Sequence, residues 1–169
     1  MVSTTLQDLI QRYYQVGARD LHALDLQGLT LKGVRLAHVD LRRANLSKAN
    51  LFQADLTHIN GYQLVLTHGD LREASLAEAV LIEADLRRTQ GHRATLVNAD
   101  LRQANLAHSD LSHANLEGAN LSGADLSHVK LYWANLRHAN LTGATLTGTD
   151  LTGVKWQDTV MPDGTLRSD

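Results

Sequence analysis

The sequence predicts an all-β solenoid, in which short extended segments joined by regular turns wind around one interior. Its first sign is a leucine at every fifth position from residue 21 to 156, a series of 28 positions called here the centres. The series departs from leucine only at Gly61, Gly91 and Trp156. Its second sign is a mostly apolar residue two places before each centre, called here the inner position. No insertion breaks the series, and such a strict repeat is typical of a repeat architecture.

Neither an α-helix nor a flat strand explains a period of five. Successive centres would spiral around a helix in steps of about 140°, and on a flat strand they would alternate between its faces. All centres can face one interior only if the chain turns every five residues. The centre and the inner position lie two residues apart, so both point inward from one short extended segment. The inner residue is Ala in 15 units, from Ala44 to Ala144, which predicts a narrow interior.

Units such as Ala104-Asn105-Leu106 and Ala124-Asp125-Leu126 match a known five-residue consensus, Ala-(Asp/Asn)-Leu-x-x. Over about four-fifths of its length the sequence therefore resembles the pentapeptide-repeat family, and the segment 12–20 is similar to the lead-in of many cyanobacterial members. Known members form a right-handed quadrilateral β-helix with four repeats per coil. The resemblance implies that residues 20 apart stack and that the chain forms about seven coils.

Both ends of the repeat carry segments of a different kind. From Thr4 to about Val16, apolar residues recur at three- and four-residue spacing, which predicts an amphipathic α-helix. This helix is expected to cover the first coil, since a membrane-surface helix would need a basic face. We expect three parts: an N-terminal capping helix at 1–17, the β-helix at 18–156, and a C-terminal cap or tail at 157–169.

Bulky residues replace Ala at the first inner positions, which predicts a wider interior beneath the helical cap; they are Leu24, Leu29, Val34 and Val39. At the other end, Met161–Gly164 predicts a β-turn that folds back over the last coil. The position two after each centre, called here the corner position, is glycine in seven units: 28, 33, 118, 123, 143, 148 and 153. Glycine there predicts type II turns.

Gly61 and Gly91 leave two centres without a leucine. The favoured interpretation is local repacking or a bulge, with Ile59 and Leu64 filling the space around Gly61. The alternative is a kink that shapes a partner surface. A 20-residue stacking period places the two glycines on different sides, so they cannot line one continuous groove.

Composition and motifs exclude several functional classes. The chain has 16 Lys and Arg, 18 Asp and Glu, and no Cys, so neither disulfides nor thiolate chemistry is expected. It shows no phosphate-binding glycine loop and no nucleophile, histidine and acid arrangement beyond what the repeat itself generates. We therefore predict no enzyme and no cofactor. Without a long apolar run or signal-peptide pattern, we expect a cytoplasmic protein that does not bind membranes.

The nine histidines raise the question of a metal site. Stacking by 20 would pair His38 with His58, and His108 with His128, close enough to share a zinc ion. However, seven of the nine occupy the corner position, and a histidine tolerates positive φ better than most residues. Lys48, Arg88 and Lys130 also stand near one of these columns. We expect no specific metal site, with a weak surface site as the alternative.

Two functions fit a rigid solenoid without catalytic groups. The first is a structural or protein-interaction module, whose partner-binding face would comprise Phe52, Arg72, His92, Arg93, His113, Tyr132 and Trp133. The second follows from the resemblance, since some family members mimic duplex DNA and act on the type II topoisomerase DNA gyrase. Mimicry needs acidic stripes, whereas Arg residues occupy many outward positions here. We expect a protein partner and no direct nucleic-acid binding, and the oligomeric state is left open.

Overall fold

In the computed structural model, the described residues are Ile10, Gln15 and 17–168. A ladder of single-residue parallel bridges links outward-facing residues 20 apart, from Asp20–Asp40 to Asn140–Val160. The backbone follows the same spacing: Leu106 N donates to the carbonyl of Asp125 at 2.9 Å. The predicted stacking of residues 20 apart is therefore confirmed. Each side contributes one bridge per coil because the chain turns again after five residues.

The interior of the ladder is lined by the centres and the inner positions. Leu106 is 1% exposed and Ala104 is 1% exposed, and this pairing recurs along the rod. Val34 and Val39 are buried as predicted, but Leu24 is 45% exposed, so its expected burial is wrong. Leu24 lies in the first coil of the ladder, and among the described residues it has a stacked coil on one side, where Asp25 pairs with Asn45.

Every corner position in the ladder has positive φ, whether or not it is glycine. The seven glycine corners have φ between 63° and 69°, the sign that a type II turn requires at its third residue. The non-glycine corners, including the seven histidines predicted there, have φ between 49° and 62°. A side chain at such φ costs about 1–2 kcal/mol. Ladder hydrogen bonds hold the conformation: His108 N, for example, donates to Ser127 O at 2.9 Å.

The two glycine centres are repacked without a bulge. Gly61 N donates to Val80 O and Gly91 N to Asp110 O, each at 2.7 Å, so the ladder continues through both. A Cβ on Gly61 would lie 2.9 Å from Leu81 Cδ2 and 3.3 Å from Leu64 Cδ2. The predicted repacking is confirmed for Leu64. Leu81, from the next coil, is the filler that the sequence interpretation missed.

The C-terminal segment folds back as an antiparallel hairpin of β1 (Thr159–Val160) and β2 (Leu166–Arg167). Gly164 N donates to Met161 O at 2.9 Å, which confirms the predicted β-turn. The Arg167 guanidinium lies 4.5 Å from the Trp156 ring centroid, and Trp156 is only 7% exposed. The hairpin thus joins the end of the core.

At the N-terminal end, Ile10 and Gln15 are helical, and Ile10 belongs to the core cluster with 4% exposure. The remainder of the predicted capping helix lies outside the described residues. Within the part of the chain that is described, no helix is long and apolar enough to cross a membrane.

Candidate partner-binding face

The structure brings the predicted face residues together on one corner of the rod, called here the aromatic corner. It consists of two adjacent columns: Phe52, Arg72, His92, Ser112 and Tyr132, beside Gln53, Glu73, Arg93, His113 and Trp133. The main chain sets their register, because Arg93 N donates to Ser112 O at 3.1 Å and His113 N to Tyr132 O at 2.8 Å. Side chains distant in the sequence therefore stand one coil apart.

Four rings form a continuous row along this corner. The centroids of His92 and His113 are 5.2 Å apart, those of His113 and Tyr132 5.6 Å, and those of Tyr132 and Trp133 6.1 Å. All three contacts are edge-to-face, with interplanar angles from 79° to 85°. The positive edge of one ring meets the negative face of the next, so each ring fixes the orientation of its neighbour.

Tyr132 and Trp133 stay open to solvent within this row, with 42% and 50% of their surface exposed. Trp133 lies over Gly153, where a Cβ would come within 2.9 Å of the indole Cδ2 and Cε2 atoms. Sequence interpretation missed the role of Gly153 as the platform for the indole. The sequence does contain a signal for this contact, because Gly153 follows Trp133 by 20 residues, which is one coil.

Two cations flank Phe52 at the other end of the aromatic corner. Lys32 Nζ lies 5.0 Å and Arg72 Cζ 5.7 Å from the ring centroid, within the range of cation–π attraction. Arg72 also binds Asp70, with an Nη2–Oδ2 distance of 2.7 Å. Lys32 was not among the predicted face residues, although it precedes Phe52 by one coil.

Among the described residues, four arginines, including Arg72, bind through the guanidinium to the carboxylate two residues earlier. The pairs are Arg42–Asp40, Arg72–Asp70, Arg87–Asp85 and Arg102–Asp100, at 2.5 to 2.7 Å. The arginine hydrogen bond lowers the pKa of each of these aspartates. The arginine backbone N–H donates to the same carboxylate, as Arg102 does to Asp100 at 3.3 Å. These carboxylates stay charged, but each already carries its own counter-ion.

The two predicted histidine pairs are stacked face to face. Ring centroids are 4.6 Å apart in His38–His58 and 4.9 Å in His108–His128, and both pairs are within 6° of parallel. His58 Nδ1 lies 3.4 Å from a carboxylate oxygen of Glu78. Across the described residues, no three His, Asp or Glu side chains are grouped as metal ligands. Whether the protein binds a metal ion stays a matter of prediction.

Comparison with known families agrees with the ladder and its five-residue units. The family model for pentapeptide repeats matches eight copies, over residues 20–57, 70–106, 99–137 and 114–155. These matches cover well over half of the chain, which therefore belongs to the pentapeptide-repeat family, whose members are right-handed quadrilateral β-helices. No protein with curated annotation matches the chain.

Among solved structures, the chain is similar to HetL, a pentapeptide repeat protein involved in heterocyst differentiation regulation from the cyanobacterium Nostoc sp. strain PCC 7120. The identity is 29%, the alignment covers 94% of this chain and 98% of HetL, and the TM-score is 0.31. Rfr23 from the cyanobacterium Cyanothece 51142 is 28% identical over 90% of this chain and 98% of its own, with a TM-score of 0.41.

QnrB1, a plasmid-mediated fluoroquinolone resistance protein, gives a TM-score of 0.56. Its identity to this chain is 18%, and the alignment covers 82% of this chain and 85% of QnrB1. At this identity the likeness shows a shared fold. The predicted resemblance to the family, including its cyanobacterial members, is confirmed.

Proposed function

We propose that this protein is a non-enzymatic interaction module, a rigid β-helical rod that binds a partner protein through the aromatic corner. The rod would comprise about seven coils at 18–156, closed by a capping helix at 1–17 and by the tail at 157–169. Family membership supports a module of this kind, because pentapeptide-repeat proteins are generally structural or interaction proteins. Cytoplasmic location remains a sequence prediction.

The row of rings that ends in Tyr132 and Trp133 carries this proposal. Tyrosine, tryptophan and arginine are the residue types that most often anchor protein interfaces. Here the edge-to-face contacts and the Gly153 platform hold the exposed rings in place before any partner arrives. A pre-ordered side chain loses less conformational freedom on binding, so more of its contact energy contributes to affinity.

Replacing Trp133 with Ala is expected to remove a specific partner from the proteins that the rod retains. The measurement is quantitative affinity capture from lysate by the full chain, wild type against Trp133→Ala and Arg93→Ala. Both changes lie on the surface, so melting temperatures should stay near that of the wild type.

Tyr62→Ala is the matched control, since Tyr62 is also an aromatic turn residue but belongs to a different corner. We expect the Tyr62→Ala rod to retain the partner that Trp133→Ala and Arg93→Ala lose. Identical sets of retained proteins for all four rods would rule out the aromatic corner as the interface.

DNA mimicry acting on gyrase is the alternative that the family resemblance implies. A mimic must present uncompensated acidic groups in place of phosphates. In this rod Asp40, Asp70, Asp85 and Asp100 are each neutralised by an arginine at 2.5 to 2.7 Å. We therefore expect no inhibition of gyrase supercoiling when the protein is stoichiometric with the enzyme. If the wild type inhibits gyrase supercoiling and the Trp133→Ala variant inhibits it equally, DNA mimicry would be favoured over binding through the aromatic corner.

A further inference from the structure

A different corner of the rod carries a straight column of cationic and imidazole side chains. This column, called here the basic ridge, consists of Lys48, His68, Arg88, His108 and His128 at successive corner positions. Each backbone N–H donates to a carbonyl of the next coil: Arg88 N, for example, binds Ala107 O at 3.1 Å. The ridge spans four intervals of about 4.8 Å, or about 19 Å in all.

The basic ridge differs from the other three corners in its charge. Each of those corners carries at least one acidic residue at a turn position, and Glu83, Glu73 and Glu78 are one example from each. The column that contains the ridge carries no acidic residue, and neither does the adjacent column of residues 27, 47, 67, 87, 107, 127 and 147. Neither Lys48 nor Arg88 forms an ion pair within the described part of the chain. Two permanent positive charges are thus free to meet a partner.

The acids beside the ridge are already engaged. Asp85 binds Arg87 at 2.6 Å, Asp70 binds Arg72 at 2.7 Å, and Asp125 Oδ1 accepts a hydrogen bond from Ser127 N at 2.9 Å. They do not reach across to the ridge cations. They nevertheless border it on both sides, so the positive surface is narrow.

A depression of about 530 Å³ opens at the middle of the ridge. His68, Arg88, His108 and Ala107 line it, together with Arg87, which binds Asp85, and with the carboxylate of Asp125. Ala107 has the smallest side chain at its position, where it lies between Arg87 and Ser127. The short side chain leaves room beside Arg88. A partner side chain entering there would meet the Arg88 guanidinium and two imidazoles beside the Asp125 carboxylate.

We infer that the basic ridge docks an extended, acidic segment of a partner protein. An extended chain rises about 3.3 Å per residue and points alternate side chains to one side, so about six residues would span the ridge. Carboxylates on that side would pair with Arg88 and Lys48, and arginine can bind a carboxylate with two parallel hydrogen bonds.

The width of the ridge favours such a segment over a nucleic acid. Nucleic-acid binding draws on many phosphate contacts spread across a broad basic surface. Here a wider polyanion would meet Asp85 and Asp125 on one side and Asp70 and Asp110 on the other.

Fluorescence anisotropy tests this inference with a labelled peptide of about ten residues that alternates Glu and Ser. We expect saturable binding to the full chain at about 50 mM salt, weakening as salt rises. Arg88→Glu should weaken binding by about tenfold or more, because it replaces an attraction with a repulsion. Glu at this corner is compatible with the backbone, since Glu73, Glu78 and Glu83 hold φ of 57° to 58° at equivalent positions.

Arg43→Glu is the matched control, because Arg43 is an exposed arginine at a corner position with φ 57° on another corner. It should change peptide affinity by less than about twofold. Trp133→Ala should leave peptide binding unchanged, which separates this inference from the aromatic corner. Absence of saturable binding, an equal effect of Arg88→Glu and Arg43→Glu, or tighter binding of an oligo-dT of equal length would each overturn it.

Discussion

Replacing Leu106 with Ala is expected to lower the free energy of unfolding by about 2–5 kcal/mol. Leu106 is 1% exposed and fills one side of a coil together with Ala104, so the neighbouring small side chain cannot expand into the void. In a solenoid each coil also packs on the coils before and after it, so a cavity weakens both interfaces. Urea denaturation followed by circular dichroism gives the loss.

Arg102→Ala is the control, because Arg102 lies on the surface of the rod in the unit that precedes Leu106. It removes the ion pair with Asp100 at 2.7 Å, but the Arg102 side chain is 51% exposed and water replaces the contact. Its effect should be several times smaller than that of Leu106→Ala. Equal losses for the two variants would show that the Leu centres do not carry the stability of the rod.

Restoring the consensus leucine at Gly61 is expected to destabilise the rod by about 1–3 kcal/mol. Leu64 and Leu81 occupy the space that the side chain would need, at 3.3 and 2.9 Å from its Cβ position. Both are fully buried, so neither can move aside without displacing other core atoms. Thermal and urea denaturation of Gly61→Leu measure the cost.

The double variant Gly61→Leu/Leu64→Ala tests the reason. It gives the following unit the usual Ala at its inner position and removes one of the two side chains that occupy the space beside Gly61, so it should be more stable than the sum of the two single changes implies. Additive losses in this cycle would mean that Leu64 does not fill the space of the missing leucine.

Much of this structure could be predicted from the sequence, because in a regular repeat the position of each residue in the fold follows from its position in the repeat. Once residues 20 apart stack, Phe52, Arg72, His92 and Tyr132 must share one corner, and the ladder places them there. The positive φ predicted at the corner histidines follows from the same regularity, since each unit must turn at the same point.

Other features depend on contacts between coils, which the period does not specify. The sequence alone determined the five-residue unit, the inward Leu and Ala, and the corner that each polar residue occupies. The tertiary structure decided that Leu81 fills the space above Gly61, that Gly153 supports Trp133, and that Leu24 stays exposed. Such outcomes depend on side-chain volume and rotamer in the adjacent coil, because close packing leaves each side chain only the space its neighbours do not use.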